Sequence, residues 1–413
     1  MSGESHKPEW HMPFKGTNLF AQIIDLADRE AFHRIVRKHA GDWHAKGFTC
    51  WDQFVSMLFC QLGKAQSLRE ICGGLASSAG KLNHLGLSAG PRRTTLAYAN
   101  EHRSWKIYQE MFYHLLGQSR RYEWGRHKLR FKNKLFSMDA TVIDLCLGMF
   151  DWAHFRRAKG AVKLHLVLDH DGYLPTFGHI TEGSVPDVKA AKGVIPQHFR
   201  FPAGSIVVLD KGYADGGLYN QWCEEGVTFV TRMKDNARFR IVERRRCPQH
   251  RGILRDDIIV FSHFRTRKKC PHHLRRIEMW DEEHQQTLVF LTNNLTFGAT
   301  TIAAIYKERW QIEIFFKLLK QNLRIKTFVG TSVNALQIQI WTALIAILLL
   351  KILKLRSTFA WSMSNLVAML RFNLFTYRDL WEWLDKPFQS PAGDIESLQL
   401  SFFPADLGQH TQG

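Results

Sequence analysis

The chain has 413 residues, 45% hydrophobic and 23% charged, with 56 Lys and Arg against 38 Asp and Glu and a net charge of +18. This composition excludes a disordered or collagen-like chain, and the basic excess points to a polyanionic partner, nucleic acid before acidic membrane. Seven scattered Cys residues exclude a disulfide framework and point to a reducing, cytoplasmic setting. The opening MSGESHKPEW has no apolar signal core, and the apolar run 338–350 is short and interrupted by Gln339 and Thr342, so a soluble protein with no membrane partner is expected.

Residues 20–130 read as helical. Thr49-Cys-Trp-Asp52 and Ser67-Leu-Arg-Glu70 have the form of capping boxes, the first leading into FVSMLFCQL. Gly73 and Gly74, then the stretch 86–91, separate these from a third predicted helix through Leu96, Tyr98, Trp105, Ile107 and Tyr108. Arg92, Arg93, Thr94 and Thr95 stand at its start, where basic side chains and free backbone N–H groups form a phosphate site. A helix-turn-helix-like DNA reader and a polar loop with an ordinary cap both fit those four residues. For 1–130 as a whole the expectation is a helical DNA-binding domain.

After the basic run RRYEWGRHKLRFKNK the pattern changes. LFSMDATVIDL, VKLHLVLD, YLPTFGHIT, SIVVLD and VTFVTRM read as strands, with VKAAKGVIP and LYNQWCEEG as helical turns, which predicts the first part of an α/β core over 131–234. Asp139 lies inside the first strand. Asp210 ends SIVVL, at the carboxyl edge where open α/β sheets gather their sites. Asp144, Asp151, Asp169 and Asp171 are alternative acids nearby, and Lys163 with His165 could face a phosphate or solvent.

FRIVERR, GILRDDIIVFS, LRRIEMW and QQTLVFLTN predict a mostly β, antiparallel stretch over 235–299. Residues 232–276 carry 15 Lys or Arg against 4 Asp or Glu, a concentration that predicts phosphate contact, with Arg244, Arg245 and Arg246 as candidates. Trp280 is either a platform for a displaced base or a packed hairpin Trp. Cys247-Pro-Gln-His250 and Cys270-Pro-His-His273 hold zinc-ligand residue types, but two Cys-x2-His pairs are not a common zinc spacing, and no structural zinc is expected.

IYKERWQIEIFFKLLKQNLR, residues 305–324, contains no Gly or Pro and predicts a single helix of about 30 Å. Tyr306, Arg309, Glu313 and Lys320 fall at offsets 0, 3, 7 and 14, a stripe roughly 60° wide that Arg324 continues. Ile305, Ile312, Ile314, Phe315, Leu318, Leu319 and Leu323 are predicted to cover the buried side. A carboxylate among an aromatic hydroxyl and cations suits a phosphodiester, the acid holding a metal and the cations, Lys317 included, holding phosphate oxygens. Solvated ion pairing is the other reading of such a face. Downstream, the apolar helix through Trp341 is predicted to pack beneath the sheet, residues 300–385 completing the core, and the broken tail 386–413 is predicted to fray.

The spacing Tyr-x2-Arg-x3-Glu-x6-Lys resembles the signature of the DDE transposases of the insertion-sequence-4 family. The order Asp139, Asp210, Glu313, the Asp210-Lys-Gly-Tyr strand end and the basic β stretch before the Glu313 helix extend the resemblance over nearly the whole chain. It implies a ribonuclease-H-like mixed-sheet core with a mostly β insertion. It further implies Asp139, Asp210 and Glu313 as catalytic carboxylates holding two Mg²⁺ ions, with Mn²⁺ able to substitute, and Tyr306, Arg309 and Lys320 on DNA phosphates. The implied protein is a prokaryotic, nucleoid-associated homodimer that binds the terminal inverted repeats of an insertion sequence in double-stranded DNA, cuts there and joins the ends to target DNA. The rivals are a ribonuclease-H-like nuclease or resolvase that cuts without joining, and a DNA-binding regulator with a silent catalytic fold.

Overall fold

The computed structural model describes residues 16–122, 124, 125, 127, 129–145, 160–193, 195–247, 252–323 and 328–389. Asp151, His250, Arg324 and the tail beyond 389 lie outside them.

Among the described residues, six α-helices come first: α1 (Leu19–Asp25), α2 (Arg29–Lys38), α3 (Cys50–Leu62), α4 (Leu68–Ala76), α5 (Arg93–His102) and α6 (Lys106–Ser119). The box at the head of α3 is complete, since Thr49 Oγ1 accepts from the Asp52 amide and the Asp52 carboxylate accepts from the Thr49 amide. At α4 the Ser67 hydroxyl accepts from the Glu70 amide, while the Glu70 carboxylate reaches the Gln66 amide instead. The third helix expected from the sequence is in fact two, α5 and α6. Arg103 turns extended after α5, and Asn334 Nδ2 donates to the carbonyls of Asn100 and Arg103 at 2.8 and 2.7 Å, satisfying the exposed end of α5 from a distant helix.

The next elements are β1 (Leu135–Leu145), β2 (Gly160–Asp169), β3 (Leu174–Glu182), α7 (Asp187–Gly193), α8 (Ile195–His198), β4 (Ile206–Leu209), α9 (Gly216–Glu224) and β5 (Thr228–Arg232). Then come β6 (Phe239–Arg244), β7 (Ile253–Phe261), α10 (Phe264–Lys269), β8 (Leu274–Asp281) and β9 (Gln286–Thr292). Five helices close the described chain: α11 (Ala299–Lys307), α12 (Trp310–Asn322), α13 (Val333–Arg356), α14 (Met363–Asn373) and α15 (Leu380–Asp385).

All nine strands share one sheet in the order β3-β2-β1-β4-β5-β9-β8-β7-β6. β1 to β3 pair antiparallel, whereas β4 lies parallel to both β1 and β5, the ribonuclease-H-like mixed arrangement. The basic insertion continues that sheet, because β9 pairs antiparallel with β5, Val230 facing Thr292. β4 is buried on both faces, as its unbroken apolar sequence requires: Ile206 and Val208 face one layer, Val207 and Leu209 the other.

On one face Phe136, Met138 and Val207 pack with Ile195 of α8 and with Leu218 and Trp222 of α9. On the other, Leu135, Val208 and Phe290 pack with Ile302 and Ile305 of α11. The helices before residue 119 share one apolar cluster with α12 to α15 and with Leu164, Leu166 and Leu168 of β2. The apolar run expected beneath the sheet forms α13, whose buried side chains lie mainly against α3, α5 and α6 and meet the sheet at β3, where Gly178 faces Trp341 and Leu344. It is thus the axis of the helical layer; a stripe apolar on every side has no solvent face to offer.

Candidate active site

In the parallel pairing of β1 and β4, Met138 faces Leu209, so the next residue of each strand line, Asp139 and Asp210, emerges at the same edge. The α11–α12 region lies over this edge. Rather than one helix through 305–324, the chain tightens at Glu308 and Arg309, with Arg309, Gln311 and Ile312 amides donating three residues back, and restarts as α12. Within α12 the expected buried side holds for Ile312, Phe315 and Leu319, but Ile314 is 45% exposed, as the new phase of the second helix places it outward beside Trp310.

The tightened turn aims Arg309 inward. Its Nη2 donates to Glu313 Oε1 at 2.5 Å and its Nη1 to Asp139 Oδ2 at 3.4 Å, while its Nε is buried and without a partner. Burial first, and then the negative charges of Asp210 and Glu313, push Asp139 up to about 6, against the opposing pull of the Ala140 amide and Arg309. The Tyr306 ring lies beneath Arg309, 5.8 Å from its guanidinium, and packs on Phe290; burial raises its hydroxyl pKa. Lys320 Nζ donates to the Val142 carbonyl of β1 at 2.7 Å, tying the far end of the stripe to the strand that carries Asp139. Lys317 is exposed.

Behind the acids Lys163 and His165 face neither a phosphate nor solvent but Asp187, an acid that the sequence did not single out. Both Asp187 and Asp210 have an oxygen 3.9 Å from the point where a side chain on Gly212 would begin. Lys163 Nζ pairs with Asp187 at 3.0 Å, His165 Nδ1 stands 3.9 Å from the same carboxylate, and burial pulls His165 down to about 4. The Tyr213 hydroxyl is buried without a partner; burial and the charges of Asp139, Asp187 and Asp210 raise its pKa. Asp187 follows Pro186 at the start of α7 and therefore reads in sequence as a helix-start residue. The alternative acids Asp169 and Asp171 instead pair with Lys134 at the opposite end of β2.

The insertion divides its charges in two. Arg275 forms a bidentate pair with Asp256, both nearly inaccessible, and Arg276 pairs with Asp257, so these four belong to the sheet interior. Arg244 and Arg246 are exposed, whereas Arg245 donates to the Leu295 carbonyl at 2.9 Å. The sequence reading missed α10, whose Arg265, Arg267, Lys268 and Lys269 are exposed. Between α10, α9 and the β5–β6 link lies a cleft of about 610 Å³ lined by Lys234, Arg238, Arg265 and Lys269. Trp280, near the β8–β9 hairpin, is 38% exposed. Arg92 and Arg93 are exposed at the start of α5. Cys247 packs toward α11 and Cys270 on the opposite face of the sheet, so the two thiols do not share a site.

A donor set of carboxylates, one of them pushed up to about 6 by burial and by its acidic neighbours, fits a hard divalent cation. In the protein alone Arg309 stands between Asp139 and Glu313, and among the described residues no three His, Cys, Asp or Glu side chains converge on one point.

Acids of this kind at the carboxyl edge of a ribonuclease-H-like sheet define an enzyme of the DDE class. Residues 130–349 match the transposase DDE domain, and the chain belongs to that family. Residues 15–88 match a domain of unknown function, DUF4372. The chain is 33% identical over 289 residues to a Sinorhizobium fredii protein named as a transposase, y4zB, covering 68% of this chain and 78% of that one. It is 28% identical to a Geobacillus stearothermophilus protein named as a transposase for insertion sequence element IS5377, covering 55% and 58%. A Synechocystis protein named as a transposase for element IS4SA is 24% identical, covering 63% and 71%. Among solved structures, the piggyBac transposase synaptic complex with hairpin DNA is 12% identical, with a TM-score of 0.43 over 91% of this chain and 81% of that one. The chain is a DDE transposase, and the chemistry of that family depends on divalent metal.

Proposed function

We propose that Asp139, Asp210 and Glu313 hold two Mg²⁺ ions, with Mn²⁺ able to replace them, and that the enzyme cuts double-stranded DNA at the terminal inverted repeats of an insertion sequence and joins the ends to target DNA. The observation that carries this reading is the meeting of Arg309 with Asp139, 170 residues away in sequence, and with Glu313 one helical turn on. Bound divalent ions supply an activated attacking hydroxyl and charge neutralisation at the leaving oxygen.

The chain's own residues do the rest. Arg309 balances the acids in the metal-free protein, and with metal bound to those acids its guanidinium would be available to a phosphate oxygen. Tyr306 supports that guanidinium from below. Lys317, Lys320, the exposed Arg244 and Arg246, and the cleft beside α10 take successive phosphates, Arg92 and Arg93 contact DNA further out, and Trp280 offers a ring face to an unpaired base. Two copies act together in the prokaryotic nucleoid, one for each transposon end.

The test uses labelled end DNA, a target plasmid and Mg²⁺. The parent should yield both cleaved and joined products, and Glu313→Gln neither, with end-DNA binding retained because every cation that grips phosphate remains in place. Cleavage without joining would make the protein a nuclease, and equal loss of binding and cleavage in a folded Glu313→Gln would remove Glu313 from the metal site.

A further inference from the structure

We infer that Ser137, His170 and Glu308 form a buried strut that sets the distance between the strand bearing Asp139 and the turn bearing Arg309. Ser137 Oγ and His170 Nε2 are 2.7 Å apart, and His170 Nδ1 is 3.6 Å from Glu308 Oε2. Ser137 and His170 are completely buried. The His170 amide also donates to the Leu135 carbonyl at 2.9 Å, so the imidazole is anchored to β1 by its backbone as well as its ring.

Placement gives the cluster its meaning. Leu135, Ser137 and Asp139 alternate along β1 and therefore face the same side of the sheet. Glu308 immediately precedes Arg309 in the tightened turn between α11 and α12. A neutral imidazole donates from one nitrogen and accepts at the other. With its proton on Nδ1, Nε2 accepts from the Ser137 hydroxyl, while the Nδ1 side faces the Glu308 carboxylate at 3.6 Å, an electrostatic contact longer than a hydrogen bond, so that one ring stands between strand and turn. The resemblance to a nucleophilic Ser-His-acid set ends at burial, because no substrate reaches a serine with no exposed surface. Burying these polar groups is costly, and the Ser137–His170 hydrogen bond together with the attraction between the imidazole and the Glu308 carboxylate offsets part of that cost. Such a connection is stiff, and Arg309 and Glu313 meet Asp139 only where the turn is held.

The inference rests on the proposal that Asp139 and Glu313 share the metal site. Its test is calorimetric Mn²⁺ binding to the full chain without DNA. His170→Phe keeps a ring but removes both nitrogens; Phe177→Leu, in the core on the opposite face of the sheet, serves as a control once the two are compared at equal loss of Tm. His170→Phe should weaken Mn²⁺ binding about tenfold or more, as loss of a group that orients metal-binding side chains does, while Phe177→Leu should change it less than about twofold. Ser137→Ala, which deletes one hydroxyl and keeps the fold if His170→Phe does not, should weaken it about threefold. Glu308→Gln should fall between parent and His170→Phe, because the charge facing the imidazole is lost while the Ser137–His170 hydrogen bond survives. Equal Mn²⁺ affinity in parent, His170→Phe and Ser137→Ala, with parent binding abolished by Asp139→Asn, would sink the strut alone. Parent binding that ignores Asp139→Asn would sink the metal assignment and the strut with it.

Discussion

Arg309 donates to Glu313 Oε1 at 2.5 Å while the same guanidinium reaches across to β1, so the acid expected to bind metal is neutralised by a side chain one turn away. The arrangement makes the cation exchangeable. Arg309→Gln should destabilise the metal-free protein by about 1–3 kcal/mol, since two partly buried carboxylates lose their counter-charge. Added Mn²⁺ should then raise Tm more in the variant than in the parent, because binding to the folded state alone stabilises by mass action. Melting curves in chelator and in Mn²⁺ decide it, and an identical metal-induced rise in both proteins would refute the exchange.

Asp139 carries a pH signature. Its folded pKa, about 6, lies above the usual carboxylate range, so its contribution to stability is full at low pH and is lost as pH rises through 6. Asp139→Asn removes that loss. In chelator the variant should gain roughly 1–3 kcal/mol over the parent between pH 5 and pH 8. Thermal melts at several pH values suffice, and a Tm difference independent of pH would show that the carboxyl is not strained by burial.

In the insertion, Asp256 and Arg275 form a pair with side chains 5% and 3% exposed. Breaking one half of such a pair leaves a buried charge, so Asp256→Asn should cost about 3–5 kcal/mol in denaturant titration. The expectation fails if the loss is no larger than that of an exposed pair such as Lys38 with Glu110.

The exposed charges of the same insertion should behave differently. Replacing Arg244 and Arg246 by Glu should leave stability nearly unchanged and flatten the plot of log DNA affinity against log salt by about 0.9 for each phosphate that is no longer neutralised. Arg245 is left out because its guanidinium serves the Leu295 carbonyl. An unaltered slope would mean that both side chains face only solvent.

What could be read from the chain depended on whether its signal was local. The eleven residues of β1 coincide with the apolar run LFSMDATVIDL, and Asp139 and Asp210 emerge at a shared edge because the register between parallel strands carries both there, with Arg309 linking Asp139 to Glu313. The break at Glu308 was illegible: its residues favour helix, and the groups that the turn meets, Asp139 on β1 and His170, are distant in sequence. FRTRKK gave no apolar period, so α10 was invisible, and its neighbours Arg275 and Arg276 counted as surface charge although their partners Asp256 and Asp257 lay one strand away. Ser137 is a polar letter in an apolar strand and His170 a polar letter in the acidic turn after β2, unremarkable until strand, turn and helix junction are brought together.

The unbroken sheet also acts as a ruler. From β4, which leads to Asp210, to the outer strand β6, which carries Arg244, the order β4-β5-β9-β8-β7-β6 crosses five ladders. At ~4.8 Å per ladder the span is about 24 Å, or roughly seven base pairs of duplex at ~3.4 Å each. Hydrogen bonds rather than a hinge maintain that interval. If the proposed grip at the β6 edge and cut at Asp210 hold, DNA would be held at a set number of base pairs from the cut, and lengthening the sheet by one strand would move the grip by about one and a half base pairs.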